Sequence, residues 1–349
     1  MIDIARKLAF LLIGYGGLGA LAKPLVGGVG VILMLHRVSA LLDRPDGPNR
    51  HLTITPGFLD VLIGEMKRLG YAFVSMDEVV GRLSSGRTTG PFAALTADDA
   101  YRDNLIEALP VLESHGAPIT IYVAPGLTSG AADLWWEVLD DIVEAGKPVT
   151  ATVMGEQRTF ECTTPRDRKG AFLELSDWLT SEVSEEDQRQ VLRGLAEQVG
   201  VDASAPNRDL LMDWTEIRRA ASHKLVTIGA HTVHHCNLKR LEAGKALREM
   251  HRSRSLIEAE LGEAPQHFAY PYGYAAAAGM RETHLARQAG FVSAVTTRHG
   301  VLVPGHAAHM HALPRISVNG RYQDLASMRA MLSGATTLIT NGGRKLVTV

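Results

Sequence analysis

Asp98 and Asp99 stand side by side at the end of an apolar run, Phe92-Ala93-Ala94-Leu95-Thr96-Ala97. Two adjacent carboxylates are costly together unless something cationic sits beside them. Taken alone, their ordinary role is to cap the helix that follows. A second stretch, Val226-Thr227-Ile228-Gly229-Ala230-His231-Thr232-Val233-His234-His235, ends in histidines. His231 and His235 have the i, i+4 spacing that one helical turn brings to a single face. Such a pair plus one carboxylate is a common zinc or cobalt donor set, with positions left open for water and substrate. A third stretch, His267-Phe268-Ala269-Tyr270-Pro271-Tyr272-Gly273-Tyr274, stops at a Pro-aromatic-Gly turn. A turn of that kind can aim backbone N–H groups at one point and so steady an oxyanion.

These stretches need strand ends to position them, and the chain supplies strands. Short apolar runs rich in β-branched residues alternate with helical patterns, the signature of β/α units. The predicted strands are Gly30–Leu35, Ala72–Ser75, Phe92–Thr96, Pro118–Val123, Leu225–Gly229, His267–Tyr270, Phe291–Thr296 and Ala312–Ile316. Helical patterns cover Pro56–Leu69, Met76–Leu83, Arg102–His115, Leu238–Leu261 and Gly279–Ala289, with Gly70, Gly116 and Gly290 as stop signals. Parallel strands with helical crossovers make either a barrel or a doubly wound sheet. In β/α barrels the carboxyl ends of the strands build the active site. The segment Leu134–Ser222 breaks this rhythm, being long, charged and mostly helical, and is read as an insertion between two strands.

Composition sets the outer limits. The 349 residues carry 36 basic against 38 acidic side chains, which leaves no electrostatic footprint for nucleic acid. Cys162 and Cys236 lie far apart and form neither a zinc-ribbon spacing nor a disulfide framework. Near the start, Leu8 to Ala22 is apolar, follows Arg6 and Lys7, and is too short for a comfortable membrane span. It reads as a retained N-terminal helix ahead of a cleaved signal peptide, because Lys23-Pro24 and the first strand follow at once. The expected location is therefore the cytoplasm, with peripheral membrane contact through that helix; export is the alternative. The expected layout is an N-terminal helix over 1–27, a catalytic domain over 28–336 with its insertion at 134–222, and a loosely packed tail over 337–349.

The motifs, in this order, resemble the polysaccharide deacetylase family (carbohydrate esterase family 4, the NodB homology domain). Thr96-Ala97-Asp98-Asp99-Ala100 stands where the family has Thr-Phe-Asp-Asp-Gly, and His231-Thr232-Val233-His234-His235 where it has His-Ser/Thr-x-x-His. Pro271-Tyr272-Gly273 is similar to its Pro-Tyr-Gly turn. Leu33-Met34-Leu35-His36-Arg37-Val38, Trp135-Trp136 with the helical insertion, and Leu313-Pro314-Arg315-Ile316 look like its bacterial branch.

The resemblance implies a distorted (β/α) barrel of the NodB-like type and a hydrolase that cleaves the linear amide of an N-acetylated amino sugar. The substrate would be an acetylated polysaccharide, oligosaccharide or glycolipid. It makes Asp99, His231 and His235 ligands of Zn²⁺ or another divalent ion such as Co²⁺. Asp98 becomes the general base, and the Tyr272 backbone N–H an oxyanion donor.

Three departures stand out. Ala97 and Ala100 replace Phe and Gly, and Ala100 is strained if its position needs φ > 0. Ala269 occupies the place of an arginine that pairs with the base, and Arg315 is proposed as the replacement. The Leu-x-His proton donor has no plain match; His309 is favoured, with His306 and His311 as alternates. His36 ends the first strand and is read as lining the site, His234 as pointing away from it. Cys236 is read as buried packing, and Trp135 and Trp136 as anchors of the insertion rather than flanks for a sugar. The rival functions are an O-acetyl esterase, a deformylase of a lipid-linked amino sugar, and a sugar-binding pseudoenzyme.

Overall fold

The computed structural model describes residues 27–41, 44, 46–87, 89–153 and 155–349. The expected N-terminal helix lies outside the described residues, apart from its last position. Twelve strands follow in order: β1 Gly30–Leu35, β2 Arg37–Val38, β3 Thr53–Ile54, β4 Ala72–Phe73, β5 Phe92–Ala97, β6 Ile119–Val123, β7 Val149–Val153, β8 Glu156–Phe160, β9 Val226–Ala230, β10 His267–Ala269, β11 Ser293–His299 and β12 Leu313–Ser317.

The main sheet runs β1-β12-β11-β10-β9-β6-β5-β4, and β1 also pairs with β5. That second pairing closes seven parallel strands into a barrel and leaves β4 outside, on the edge of β5. Closure rests on six matched positions, from Gly30↔Phe92 to Leu35↔Ala97. Both faces of these strands are covered, so β1 (GVILML) and β5 (FAALTA) are buried at every position. This is why they read as continuous apolar runs rather than alternating ones.

Helices Pro56–Arg68, Leu109–His115, Ala243–Leu261 and Met280–Gln288 pack outside the barrel around one large core. The lumen has its own cluster, in which Ile32, Ala94, Tyr122, Ala269, Val295 and Leu313 meet Met76, Val79 and Leu83 of helix Met76–Ser85. That helix plugs the end where the strands begin. Small residues make room for large ones there: a Cβ on Gly229 would lie 2.4 Å from the Tyr122 ring and 3.0 Å from the His267 carbonyl oxygen.

The insertion between β6 and β9 holds helices Trp135–Glu144, Pro165–Ser181, Gln188–Val199, Ala205–Leu210 and Trp214–Ala221. It also contains the β7–β8 hairpin, which the mostly helical reading did not foresee. A separate apolar cluster, including Leu139, Leu175, Trp178, Leu192 and Leu195, holds it together.

The expectation of a loose tail is corrected. Helix Ala335–Thr340 follows helix Leu325–Leu332, and Val347 is buried with its carbonyl taking the His306 Nε2–H at 3.0 Å. Among the described residues no helix is long and apolar enough to cross a membrane.

Gly229→Ala tests the lumen packing. Its methyl meets an aromatic ring on one side and backbone on the other, so the variant should lose about 1–3 kcal/mol in denaturant unfolding. A change within about 0.5 kcal/mol would mean that the lumen yields freely at this point.

Candidate active site

The turns that leave β5, β9 and β10 meet at the carboxyl end of the barrel, and all three are strained. Among the described residues, the non-glycine positions in the left-handed region are Asp99 (φ 69°), Ala100 (56°), Thr232 (58°), His235 (56°) and Tyr272 (62°). Each costs about 1–3 kcal/mol, and such residues gather where a site over-determines its backbone. Ala100 is therefore strained as the sequence suggested. The i, i+4 spacing of His231 and His235 is satisfied differently from the expected helical turn. Two left-handed residues in an irregular loop bring the rings to 4.9 Å centroid separation.

His231 Nδ1 donates to the Ala269 carbonyl at 2.7 Å, which leaves the Nε2 lone pair free. That Nε2 lies 3.5 Å from Asp99 Oδ1, and His235 Nε2 lies 3.4 Å from the same oxygen. These are not ion pairs with imidazolium. Burial lowers both histidines below their ordinary range, with Asp98 partly opposing this. Burial, reinforced by Asp98, pushes the Asp99 carboxyl well up. One donor atom from each of Asp99, His231 and His235 lies within 4.8 Å of the others. Asp99 Oδ1 and His235 Nδ1 have no hydrogen-bond partner among the described residues. A buried carboxylate facing two neutral imidazoles, with lone pairs converging, is a donor set that a divalent cation fits.

Asp98 turns the other way. Arg315, fully buried on β12, donates from one terminal nitrogen to Oδ1 and from the other to Oδ2, both at 2.7 Å. Its remaining donors reach Thr96 Oγ1 at 3.1 Å and the Thr296 carbonyl at 2.9 Å. Burial alone would raise Asp98, but the Arg315 charge and hydrogen bonds outweigh it and hold the carboxyl at about 2. Two adjacent acids thus differ in state because only one has a cation built into the fold.

His36, half-buried at the end of β1, shares this mouth. Burial lowers it to about 4; Asp98 pulls it upward, while Arg315 and His231 add to the lowering. The Tyr272 ring packs 5.1 Å from His235, and its hydroxyl accepts the Trp135 indole N–H at 2.9 Å. Trp136 donates to Tyr101 Oη at 2.8 Å, so both indoles tie the insertion to the barrel. His234 faces away and bonds Glu249 at 2.7 Å. Cys236 is buried, and both cysteines are free thiols.

The proton donor expected at His309 is corrected. The chain from Leu302 to Ala312 crosses the opposite end of the barrel. Leu302 bridges Gly30 at the start of β1, and the Met310 carbonyl takes the Ala294 N–H near the start of β11. His309 is exposed there, His306 is locked between Val303 and Val347, and His311 bonds the Phe291 carbonyl. Segments that precede a barrel strand lie at its amino end, and these histidines precede β12. Sequence reasoning also missed Tyr101 and Glu137, which are joined by a 3.1 Å hydrogen bond beside Asp99.

The sequence profile of the polysaccharide deacetylase family matches residues 182–293, the part that carries His231, His235 and the Pro271-Tyr272-Gly273 turn. No curated protein sequence matches the chain. Among solved structures, the Streptococcus pyogenes deacetylase PplD in complex with acetate is similar at 18% identity and TM-score 0.57, covering 86% of this chain and 97% of that one. IcaB from Ammonifex degensii is similar at 17% identity and TM-score 0.54, over 87% and 97%. A de-N-acetylase from Aggregatibacter actinomycetemcomitans is similar at 14% identity and TM-score 0.54, over 86% and 99%. Residues 182–293 thus match the polysaccharide deacetylase profile, and the barrel has the fold of these deacetylase structures, as the sequence motifs implied.

Two measurements test the site as built. Asp98 is depressed below its ordinary 3.8, so the pair stabilises the fold at neutral pH, and that contribution is lost as pH falls toward about 2. Arg315→Gln should cost about 3–5 kcal/mol at pH 7 because it strands a buried carboxylate. The gap to wild type should narrow as pH falls, first as Asp98 protonates in the variant, where burial raises it without Arg315, and then as it protonates in wild type toward about pH 2. A pH-independent gap would contradict this. Ala100→Gly removes left-handed strain and should raise stability by about 1 kcal/mol in thermal unfolding; a loss would show that the methyl contributes packing.

Proposed function

We propose that this protein is a metal-dependent hydrolase that removes N-acetyl groups from an amino sugar in a polysaccharide, oligosaccharide or glycolipid. The observation that carries this reading is the convergence of Asp99, His231 and His235 beside an Asp98 that Arg315 keeps ionised. Asp99, His231 and His235 would hold the ion, Zn²⁺ or another divalent metal such as Co²⁺. When bound, it would supply Lewis-acid polarisation of the acyl carbonyl and lower the pKa of water at the site.

Asp98 accepts the proton of the attacking water, since Arg315 outweighs burial and leaves it charged throughout the physiological range. The Tyr272 N–H, at the head of a left-handed turn, donates to the oxygen that gains charge. Without the three histidines at the far end of the barrel, His36 is the proton carrier at the mouth. It is neutral at rest, takes from Asp98 the proton that came from water, and delivers it to the departing nitrogen, which leaves Asp98 ionised again. The acetate named in the PplD structure is the product that such a reaction would release.

Purified protein should contain close to one divalent ion per chain, lost in His231→Ala and His235→Ala, and should release acetate from N-acetylglucosamine oligomers. Asp98→Asn should keep the ion while losing on the order of 10²–10⁴ in rate. Loss of metal in that variant would exchange the roles of Asp98 and Asp99. His36→Ala should slow amide cleavage more than cleavage of an activated ester, because an amine leaves poorly without a proton. Equal effects would remove His36 as the acid and favour the O-acetyl esterase reading.

A further inference from the structure

The turn that carries Asp99 is left-handed at two successive residues, neither of them glycine, so something must hold it. The barrel contributes the Asp98 N–H bond to the Leu35 carbonyl at 3.1 Å. Asn104 adds two bonds to the Tyr101 carbonyl, from its N–H at 3.0 Å and its Nδ2 at 3.1 Å, and the insertion contributes the further support. The Ala100 carbonyl accepts the Met212 N–H at 3.0 Å, and the Arg102 N–H donates to the Leu210 carbonyl at 2.7 Å. Between them Tyr101 forms an isolated antiparallel bridge with Leu211. The Arg102 guanidinium then caps the same leg, donating to the Asp209 carbonyl at 2.7 Å and to Glu216 at 2.9 Å.

Side chains from the other leg of the insertion meet this turn. Tyr101 Oη accepts from Trp136 Nε1 at 2.8 Å and donates to Glu137 Oε1 at 3.1 Å. Asn49 Nδ2 donates to Glu137 Oε2 at 3.2 Å and to the Trp136 carbonyl at 2.8 Å, which fixes the start of helix Trp135–Glu144. The Trp136 ring lies 4.8 Å from the His235 ring at 53°. That contact matters because metal-binding histidines ordinarily donate their second ring nitrogen to a carbonyl or carboxylate. His231 does so, whereas His235 Nδ1 has no partner among the described residues. Packing between Trp136 and Tyr272 takes the place of that hydrogen bond in fixing the His235 ring.

We infer that the insertion is the frame of the metal-binding turn, with Trp136, Tyr101 and Glu137 as positioning residues that hold Asp99 and His235 in place for a divalent ion. The inference rests on the metal-dependent reading above. Its signature is metal affinity, since removing an outer partner of a ligand typically costs 10–100-fold in binding.

The test uses full-length protein stripped of metal by a chelator, with Zn²⁺ binding followed by calorimetry and apo stability by thermal unfolding. Trp136→Ala and Tyr101→Phe should each weaken Zn²⁺ binding by about 10-fold or more, and Trp136→Phe should recover part of the loss by restoring a ring against His235. Leu195→Ala, in the insertion's own apolar cluster, should lower the melting temperature and leave Zn²⁺ affinity within about twofold. Wild-type affinity in folded Tyr101→Phe and Trp136→Phe would overturn the inference even if Trp136→Ala fails to fold. An equal loss of affinity in Leu195→Ala would overturn it too, by making the effect one of general stability. A wild-type protein that binds no divalent ion would overturn the metal-dependent reading and this inference with it.

Discussion

Two carboxylates on consecutive residues, both almost fully buried, are the constraint around which this molecule is organised. Like charges a few ångströms apart in a medium of low dielectric cannot both stay ionised without counter-charge. Arg315 answers half of that demand with a two-pronged contact to Asp98, reaching across from β12 to the end of β5. The other half, at Asp99, is met only by two neutral imidazoles. The barrel closure between β1 and both β5 and β12 brings the arginine to the right carboxylate. Without it the guanidinium and Asp98, 217 residues apart, have no reason to meet.

Backbone strain is the second consequence. Presenting an acid, two imidazoles and a tyrosine amide to one point from three strand ends requires left-handed residues in each turn. Stability is spent there and recovered in the insertion, whose legs bond the Asp99 turn through backbone and side chains alike. An appendage that looks dispensable by position in the chain is therefore joined to the chemistry. Its own apolar cluster holds it together apart from the barrel core.

The two ends of the barrel divide the labour. The amino end is plugged by helix Met76–Ser85 and the segment around Met310, where His267 is buried between Ser293 and Asp77. Of the other histidines there, His306 and His311 bond backbone carbonyls and His309 is exposed. The carboxyl end holds every residue assigned a chemical part, and His36 joins it only because β1 ends at that mouth. Whether a histidine is a proton carrier or a piece of packing is decided by the end of the strand on which it lies.

Most strands of the main sheet were legible because their buried faces leave apolar runs, although edge strand β4 is exposed at Ala72 and half-buried at Phe73, and predicted and observed ends agree within three residues. The Asp98-Asp99 and His231/His235 motifs were legible as residue types with a chemistry, and Ala100 as a position under strain. The β7–β8 hairpin was not, since its outer strand, EQRTF, is exposed at four of its five positions and has no apolar pattern. The wrong end assigned to His309 came from weighing a family motif above chain direction. In a parallel barrel, residues that precede a strand lie at its amino end, and that signal was in the sequence. Other features belong to the tertiary structure alone. Arg315 and Asp98 meet only through barrel closure, and the Trp136 ring reaches His235 only because the insertion folds back over the mouth. Local sequence determines which residues can form a strand, a turn or a ligand. Contacts between segments a hundred or more residues apart depend on how the strands close, and no local pattern encodes that.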